Sequence, residues 1–187
     1  ELKPDRRFSD VMERALYNGV LSGMQHDGKR FFYVNPLEVI PGLSGQQQEY
    51  RHVLPKRPKW YACACCPPNI ARLLTSLSVY AWGEAIHPKT TDANHTDTLY
   101  SHLYIGGTFT SKAGGGVTIK TETGYPWNGT VRYTVLPEQT TADFTLSVRI
   151  PEWCSAFSFS LNGNVLDQET LDIRDGYLYL NRSWKSG

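Results

Sequence analysis

The sequence predicts a mixed fold in which a helical and irregular first part is followed by an antiparallel β-sandwich. Apolar residues recur at helical spacing in two places before residue 83, whereas short runs of alternating apolar and polar residues follow residue 97. The stretch between them, 83–97, is polar and rich in turn-forming residues. We therefore expect two domains, at residues 1–83 and 98–187, joined through this stretch.

The first predicted helix runs from Phe8 to Val20. Its apolar residues return every three or four positions, which is the period of one helical face. They are Phe8, Val11, Met12, Ala15, Leu16 and Val20. Further on, residues 41–59 are polar and rich in proline, which predicts a long loop of the kind that often carries function.

A second helix is predicted over residues 68–81, directly after a cluster of cysteines. Pro67 and Pro68 suit the start of a helix, because the first turn needs no backbone donors. The apolar residues that follow share one helical face: Ile70, Leu73, Leu74, Leu77 and Ala81. The cysteines are therefore expected at the N-terminal end of this helix.

Six short runs of alternating apolar and polar residues predict the strands of the second domain. They read "TLYSHLYIGG", "GVTIKTET", "GTVRYTVL", "DFTLSVRI", "FSFSLNGN" and "YLYLNRSW". Two dipeptides, Asn162-Gly163 and Asp175-Gly176, are signals for tight hairpin turns. Short strands separated by turns in this way are typical of an antiparallel β-sandwich.

Composition and charge argue against several classes of protein. The 187 residues are 40% hydrophobic, enough for a packed core, and their net charge of +1 gives no reason to expect nucleic acid. No apolar run approaches the ~18 residues of a membrane span, so no membrane partner is expected. Four cysteines are too few for a disulfide scaffold, which favours a reducing, cytoplasmic location.

Cys63, Cys65 and Cys66 lie within four positions at the predicted start of the second helix. A helix N-terminus favours the thiolate over the thiol, and thiolates are good zinc ligands. Spacing alone leaves three interpretations open: a metal site, a reactive thiol, or structural burial. The five histidines are scattered, and none has the spacing of a ligand pair. Cys154, next to a strand, is expected to be a small buried residue.

Glu13 is a carboxylate of interest in the helical part. It follows Val11 and Met12 and precedes Ala15, so it lies at the edge of the apolar stripe. The pattern by itself predicts an ordinary charged position that faces solvent.

Five segments carry a resemblance to a known family. They read "RALYNGVLSGMQHDGKRFFYVNPLE", "CACCPPNIARL", "GYPWNGTV", "LSVRIPEWC" and "GYLYLNRSWKSG". In this order they resemble the C-terminal part of the β-L-arabinofuranosidases of glycoside hydrolase family 127 (GH127), and the "CCPPN" element is the most specific of them. The resemblance implies that the first domain is the C-terminal end of an (α/α)6 barrel and that a β-sandwich follows it.

The resemblance also implies a chemistry. The family hydrolyses β-linked L-arabinofuranose with retention, and its nucleophile is a cysteine bound to zinc. Carried over by position, Cys65 would be the nucleophile and a zinc ligand, and Cys66 a second zinc ligand. Glu13 and Tyr33 are similar to the pocket residues that hold the arabinofuranose hydroxyls. The expected partner is an arabinofuranosyl oligosaccharide or glycoconjugate, and the oligomeric state, monomer or homodimer, stays open.

The family draws its other two zinc ligands and its acid/base glutamate from positions N-terminal to the matched region. We therefore expect this chain to be a piece of a longer protein, inactive alone and binding zinc weakly. Two other classes of protein stay open. One is a structural zinc site closed by four ligands. The other is a carbohydrate-binding module that stacks sugars on Tyr100, Tyr104, Tyr125 and Trp127.

Overall fold

A computed structural model of the protein describes residues 3–34, 36–60, 63, 65–87 and 96–186. These residues form two compact units. One contains the described residues up to Asp10 and from Ser78 onward, and the other is Val11–Leu77. Residues 88–95, which make up most of the predicted boundary stretch, lie outside the described residues.

Three α-helices are present in the described part of the chain. They are α1 (Arg6–Arg14), α2 (Cys66–Thr75) and α3 (Ser78–Ala81). α1 begins after Asp5, whose carboxylate accepts the backbone N–H of Arg7 at 3.0 Å, an N-cap contact. The helix continues into a π-helical stretch, Ala15–Val20, so the first predicted helix is helical to its end.

The residues that α1 buries are not the apolar residues of the predicted stripe. Ser9 and Glu13 are buried, whereas Phe8 and Val11 are 64% and 65% exposed. The buried Ser9 hydroxyl has a polar partner, because it hydrogen-bonds the hydroxyl of Tyr177 at 2.7 Å. The apolar stripe therefore predicts the helix correctly but not the face that the helix buries.

The second predicted helix is interrupted. α2 ends at Thr75, and Ser76 leaves helical geometry with φ −104° and ψ 11°. The hydroxyls of Thr75 and Ser76 donate to backbone carbonyls one turn earlier, at 3.0 Å and 2.8 Å, and such bonds compete with continuation of the helix. α3 then adds one short turn, and the chain becomes extended at Trp82. The prediction of one continuous helix over 68–81 is wrong at this break.

Ten strands are present in the described residues. They are β1 (Trp82–Ala85), β2 (Thr98–Ser101), β3 (Gly107–Ser111), β4 (Val117–Thr123), β5 (Val131–Pro137), β6 (Ala142–Arg149), β7 (Ser160–Leu161), β8 (Asn164–Val165), β9 (Ile173–Arg174) and β10 (Tyr177–Trp184). Within the described part, a five-stranded sheet has the order β1-β2-β6-β10-β9, a three-stranded sheet has the order β3-β4-β5, and β7 pairs with β8. The fold is mixed, with sheets and few helices among these residues, as predicted in outline.

One strand pair departs from the antiparallel prediction. β2 and β6 pair in parallel, with Thr98 opposite Thr145, whereas the other ladders of the described strands are antiparallel. Parallel neighbours need a long connection, and here the chain passes through β3, β4 and β5 before it returns to the sheet. Alternation along a strand indicates which face is buried, but it carries no information about the neighbouring strand.

Both predicted hairpin turns are confirmed. Asn162 and Gly163, between β7 and β8, have φ angles of 51° and 81°. Asp175 and Gly176, between β9 and β10, have φ angles of 49° and 78°. Two successive residues with positive φ are what a two-residue hairpin loop requires, and Asn-Gly and Asp-Gly meet this requirement with little strain.

The two larger sheets contact each other through aromatic side chains. The ring of Trp82 stacks on Phe109 with a centroid distance of 4.8 Å and meets the edge of Tyr133 at 5.9 Å. The Tyr133 hydroxyl hydrogen-bonds the hydroxyl of Ser101 at 2.7 Å, and burial raises the pKa of Tyr133. A buried tyrosine thus keeps a polar partner where the sheets meet.

β6 is the central strand of the five-stranded sheet and is buried on both faces. Phe144, Leu146 and Val148 are buried, as the alternation predicts. Ser147 and Arg149, on the opposite face, are completely buried as well. The second face is therefore covered as well, and its arginine is paired with Asp10 inside the unit.

Arg149 lies at the centre of a buried polar network. Its guanidinium pairs with the carboxylate of Asp10 at the start of the chain, and its Nε donates to the backbone carbonyl of His102 at 2.7 Å. The Tyr104 hydroxyl donates to the Arg149 carbonyl, and Nδ1 of His102 lies 2.7 Å from the Tyr177 hydroxyl. A buried charge needs such compensation, so this network ties α1, β6 and β10 together.

We expect Arg149→Met to lower the free energy of unfolding by about 3–5 kcal/mol, because the Asp10 carboxylate would stay buried without its cation. Lys120→Met is the matched control, since it removes an ion pair with Glu122 in which both side chains are half exposed. Such a surface pair contributes less than about 1 kcal/mol. Urea unfolding of both variants measures the difference, and equal losses would contradict the role of Arg149.

Gly83 lies under the buried ring of His102. A Cβ at this position would stand 2.5 Å from His102 Nε2, and the hydrogen bond between His102 Nδ1 and the Tyr177 hydroxyl restrains the ring from moving away. We expect Gly83→Ala to destabilise the chain by about 1–3 kcal/mol, as overpacking does. Gly129→Ala, where no atom lies within 4 Å of the added carbon, should leave the midpoint of urea unfolding nearly unchanged. Similar midpoints for the two variants would show that His102 is free to move.

Candidate functional site

Three thiols meet at the start of α2. The Cys63 thiol donates to the sulfur of Cys65 at 3.0 Å, and the sulfurs of Cys65 and Cys66 are 3.4 Å apart. Cys63 and Cys65 are exposed and Cys66 is half-buried. None of the four cysteines forms a disulfide. The structure therefore brings together the three thiols that the sequence places side by side.

The start of α2 holds the backbone of Cys65. Cys65 is the residue before the first helical position, and its carbonyl accepts both the side-chain amide of Asn69 at 2.8 Å and the backbone N–H of Asn69 at 3.3 Å. Arg72 in turn donates to the Asn69 side chain at 3.3 Å. These contacts fix the carbonyl of the predicted nucleophile in the first turn of the helix.

The two prolines at the start of α2 weaken the expectation that this helix N-terminus stabilises a thiolate. Pro67 and Pro68 lie in the first turn of α2 and carry no N–H, while the N–H of Asn69 already bonds the Cys65 carbonyl. This helix start therefore offers fewer backbone donors to a thiolate than an ordinary one. The helix dipole still favours negative charge at this end.

Tyr33 belongs to the same cluster through its backbone. The Cys66 thiol donates to the Tyr33 carbonyl at 3.9 Å, within the range of a sulfur hydrogen bond. Tyr33 is half-buried. It lies in an irregular segment that follows an isolated β-bridge between Met24 and Phe31. The predicted sugar-binding tyrosine is thus next to the cysteines.

The segment before Tyr33 is held by the long predicted loop. The Phe31 N–H donates to the Pro58 carbonyl at 3.1 Å, and the Arg57 guanidinium lies over the Phe32 ring at 4.6 Å. Nε of Arg57 also donates to the carbonyl of Ser22 at 3.2 Å. Residues 41–59 contain a single 3₁₀ turn among the described residues and no α-helix or strand, which confirms the loop prediction and shows what the loop supports.

Glu13 is buried, with 7% of its surface exposed, on the last turn of α1. The apolar pattern alone predicts a solvent-facing position, and that expectation is wrong. Removing a carboxylate from water is unfavourable unless a polar partner compensates for it. Burial therefore distinguishes Glu13 from an ordinary surface glutamate, whereas Glu38 and Glu49 are exposed.

The cysteine pair fits part of a zinc site. Zn–S bonds of about 2.3 Å in tetrahedral geometry place two sulfurs ~3.8 Å apart. The 3.4 Å between the sulfurs of Cys65 and Cys66 is close to that separation, so a small rotation of either side chain would suffice. Among the described residues, no group of three or more His, Cys, Asp or Glu side chains is arranged to hold a metal ion. The pair would thus supply two of the four ligands of a tetrahedral site.

Two further groups bear on the competing interpretations. Cys154 is half-buried, and its thiol donates to the Ala156 carbonyl at 3.3 Å, well removed in sequence from the other thiols. The ring of Tyr100 stacks on that of His102 with a centroid distance of 5.9 Å. Burial is the main reason that the pKa of Tyr100 is raised, and the neighbouring Tyr179 is the second reason. One face of Tyr100 is therefore already covered, which argues against it as a sugar platform.

Trp153 is an exposed aromatic residue of the sheet unit that the alternating runs do not predict. Tyr125 stacks on Trp153 at a centroid distance of 6.3 Å and meets the edge of Tyr104 at 5.3 Å. Trp127 is 91% exposed. The position of Trp153 in "IPEWC", just after a strand, is the signal that could have found it.

Every helix among the described residues is too short or too polar to span a lipid bilayer.

Two family descriptions match the chain. Residues 1–79 match "Beta-L-arabinofuranosidase, GH127 catalytic domain", and residues 98–187 match "Beta-L-arabinofuranosidase, GH127 middle domain". The cysteine cluster, Tyr33 and Glu13 all fall in the first match, and the three- and five-stranded sheets are built mainly from the second.

Individual relatives agree with these matches. A non-reducing end β-L-arabinofuranosidase of Bifidobacterium longum subsp. longum is 35% identical over 184 residues, which cover 96% of this chain and 26% of the relative. The crystal structure of a GH127 β-L-arabinofuranosidase from Geobacillus stearothermophilus T6 has a TM-score of 0.81 and 48% identity, covering 100% of this chain and 27% of that one. A solved GH127 β-arabinofuranosidase has a TM-score of 0.72 and 33% identity, covering 98% and 27%. The chain spans about a quarter of the length of these relatives.

Proposed function

Because this chain belongs to glycoside hydrolase family 127, we propose that it is part of a zinc-dependent retaining β-L-arabinofuranosidase whose nucleophile is Cys65. The observation that carries the proposal is the pair of sulfurs at the start of α2, with Cys65 and Cys66 separated by 3.4 Å and Tyr33 in contact. This pair lies in the segment that matches the catalytic domain of the family. Its substrates would be β-linked L-arabinofuranosyl oligosaccharides or glycoconjugates.

In the proposed reaction, the sulfur of Cys65 attacks the anomeric carbon of the arabinofuranose. The glycosidic C–O bond breaks, and the leaving oxygen takes a proton from an acid that the resemblance places N-terminal to the matched region. Water then attacks the same carbon, the C–S bond breaks, and the thiolate returns. Two displacements at one carbon retain its configuration.

The exposure of Cys65 suits this role, because a nucleophile must reach the sugar. Cys65 and Cys66 would hold zinc, which keeps a bound cysteine in the thiolate form at neutral pH. Glu13 would accept hydrogen bonds from sugar hydroxyls, and its burial supports such a role because a desolvated carboxylate forms stronger hydrogen bonds. Tyr33, whose carbonyl contacts the Cys66 thiol, would also contact the sugar.

We further propose the architecture that goes with this function. The unit Val11–Leu77 would be the C-terminal end of an (α/α)6 barrel, and the two larger sheets would form a β-sandwich, which the contact of Trp82 with Phe109 supports. The division at residues 1–83 and 98–187 stays a prediction, as does the cytoplasmic location, which four cysteines without a disulfide favour.

In the full-length protein, we expect Cys65→Ser to abolish turnover of an aryl β-L-arabinofuranoside while the circular dichroism spectrum is unchanged, because an un-ionised hydroxyl is a poor nucleophile. Cys154→Ser is the matched control and should keep the wild-type kcat, since Cys154 bonds only a local carbonyl in the contacts described. Cys66→Ser should lose both zinc, measured by mass spectrometry of the metal, and activity. A Cys65→Ser enzyme that retains most of its kcat would refute the nucleophile assignment.

We expect Glu13→Gln to lower kcat/KM about ten- to hundred-fold, since a charge-assisted hydrogen bond is worth roughly 1.5–3 kcal/mol. Zinc content should stay at the wild-type level, because Glu13 is not a proposed ligand. Glu49→Gln, at an exposed position of the long loop, is the control and should leave the kinetics unchanged. If the two variants behave alike, Glu13 has no part in binding the sugar.

A further inference from the structure

We propose that Cys63 and Cys65 are an oxidative modification site, at which peroxide converts the two thiols into a reversible disulfide. The disulfide itself follows from the positions of the two sulfurs. Its effect on catalysis rests on the proposed function, because Cys65 is the proposed nucleophile and zinc ligand. Oxidation would therefore switch the enzyme off without destroying the cysteine.

The first argument is distance. The Cys63 thiol donates to the Cys65 sulfur at 3.0 Å, and a disulfide bond is about 2.05 Å long, so the sulfurs must approach by only about 1 Å. Both side chains are exposed and can rotate without displacing core residues. The Cα atoms of residues two positions apart are at most about 7 Å apart, which is close to the range that a disulfide allows.

The second argument concerns which thiols can pair. Cys65 and Cys66 are joined by one planar peptide, and disulfide geometry is demanding for direct neighbours. Cys66 is also the first residue of α2, and its thiol donates to the Tyr33 carbonyl. Cys63 precedes the helix and has no such restraint among its described contacts. The structure therefore favours Cys63 with Cys65 over Cys65 with Cys66.

The third argument is that the proposed metal site does not use Cys63. The proposed zinc ligands are Cys65 and Cys66, and Cys63 is not among them. The described residues also contain no group of three ligands arranged for a metal ion. Among the described contacts, the one with the Cys65 sulfur indicates what reaction Cys63 can take part in.

The reaction balances with hydrogen peroxide as the oxidant. One thiol, reacting as its thiolate, attacks a peroxide oxygen; the O–O bond breaks and a sulfenic acid and water result. The second thiol attacks the sulfenic sulfur, the S–O bond breaks, and a second water leaves as the S–S bond forms. Two thiols lose two electrons and one peroxide gains them. A small dithiol reverses the reaction by thiol–disulfide exchange.

The test uses the full-length protein and follows the tryptic peptide that spans residues 60–72, which contains all three clustered cysteines. After treatment with hydrogen peroxide, free thiols are blocked with N-ethylmaleimide and the peptide is sequenced by mass spectrometry. We expect a peptide that carries one maleimide, at Cys66, and has two hydrogens fewer than the reduced peptide with one maleimide. After reduction with dithiothreitol and a second treatment with N-ethylmaleimide, the peptide should carry a maleimide at all three cysteines. Added zinc should slow the formation of the disulfide by peroxide, because the Cys65 sulfur would then be bound to the metal.

Variants make the test decisive. Cys63→Ser should abolish the disulfide and make inactivation by peroxide irreversible by dithiothreitol, while its activity before oxidation is unchanged. Cys154→Ser, the matched control, should behave as the wild type. A link between Cys65 and Cys66, a link between two molecules, or sulfinic acid without any disulfide would overturn the proposal. A Cys63–Cys65 disulfide that leaves activity intact would instead refute the nucleophile role of Cys65, and the modification site would stand.

Discussion

The buried ion pair between Arg149 and Asp10 is the interaction on which the sheet unit depends. Arg149 is completely buried on the central strand β6, and its guanidinium has to be neutralised where it lies. Asp10 comes from α1, and the His102 carbonyl from the chain after β2. One buried charge therefore requires three separate stretches of the chain to be in place together. An apolar residue at this position would pack without any such demand, so the arginine adds specificity to a sheet whose other face is held by ordinary apolar burial.

His102 extends this network and shows how tightly it is packed. Its Nδ1 meets the Tyr177 hydroxyl on β10, its ring stacks on Tyr100, and its Nε2 lies so near Gly83 that no side chain fits there. Polar and aromatic contacts thus connect β1, β2 and β10 across the same region. The histidine has a packing role, as its isolated position in the sequence suggests, and it belongs to a part of the molecule distinct from the cysteine cluster.

The cysteine site is built on different physics. It is local: three thiols within four positions, two prolines that begin a helix, and an asparagine that bonds back to the Cys65 carbonyl. In the proposed function, the exposure of Cys65 would make its sulfur available to a substrate, and the same exposure makes it available to an oxidant. A thiol nucleophile carries this vulnerability wherever it is used, and a neighbouring thiol at 3.0 Å offers a reversible outcome in place of permanent loss.

Local features of this protein were determined by the sequence alone. The Asn162-Gly163 and Asp175-Gly176 turns, the start of α2 at the prolines and the grouping of Cys65 with Cys66 all depend on residues close together in the chain, so short-range geometry decides them. The family resemblance also depends on short motifs. Tertiary structure decided the features that depend on distant partners. Tyr177 on β10 supplies the partner of the buried Ser9 hydroxyl, Asp10 neutralises the buried Arg149, and β2 pairs in parallel with β6 after the chain has passed through three other strands. Glu13 is buried although its pattern predicts exposure, since periodicity measures the polarity of a face and not what covers it.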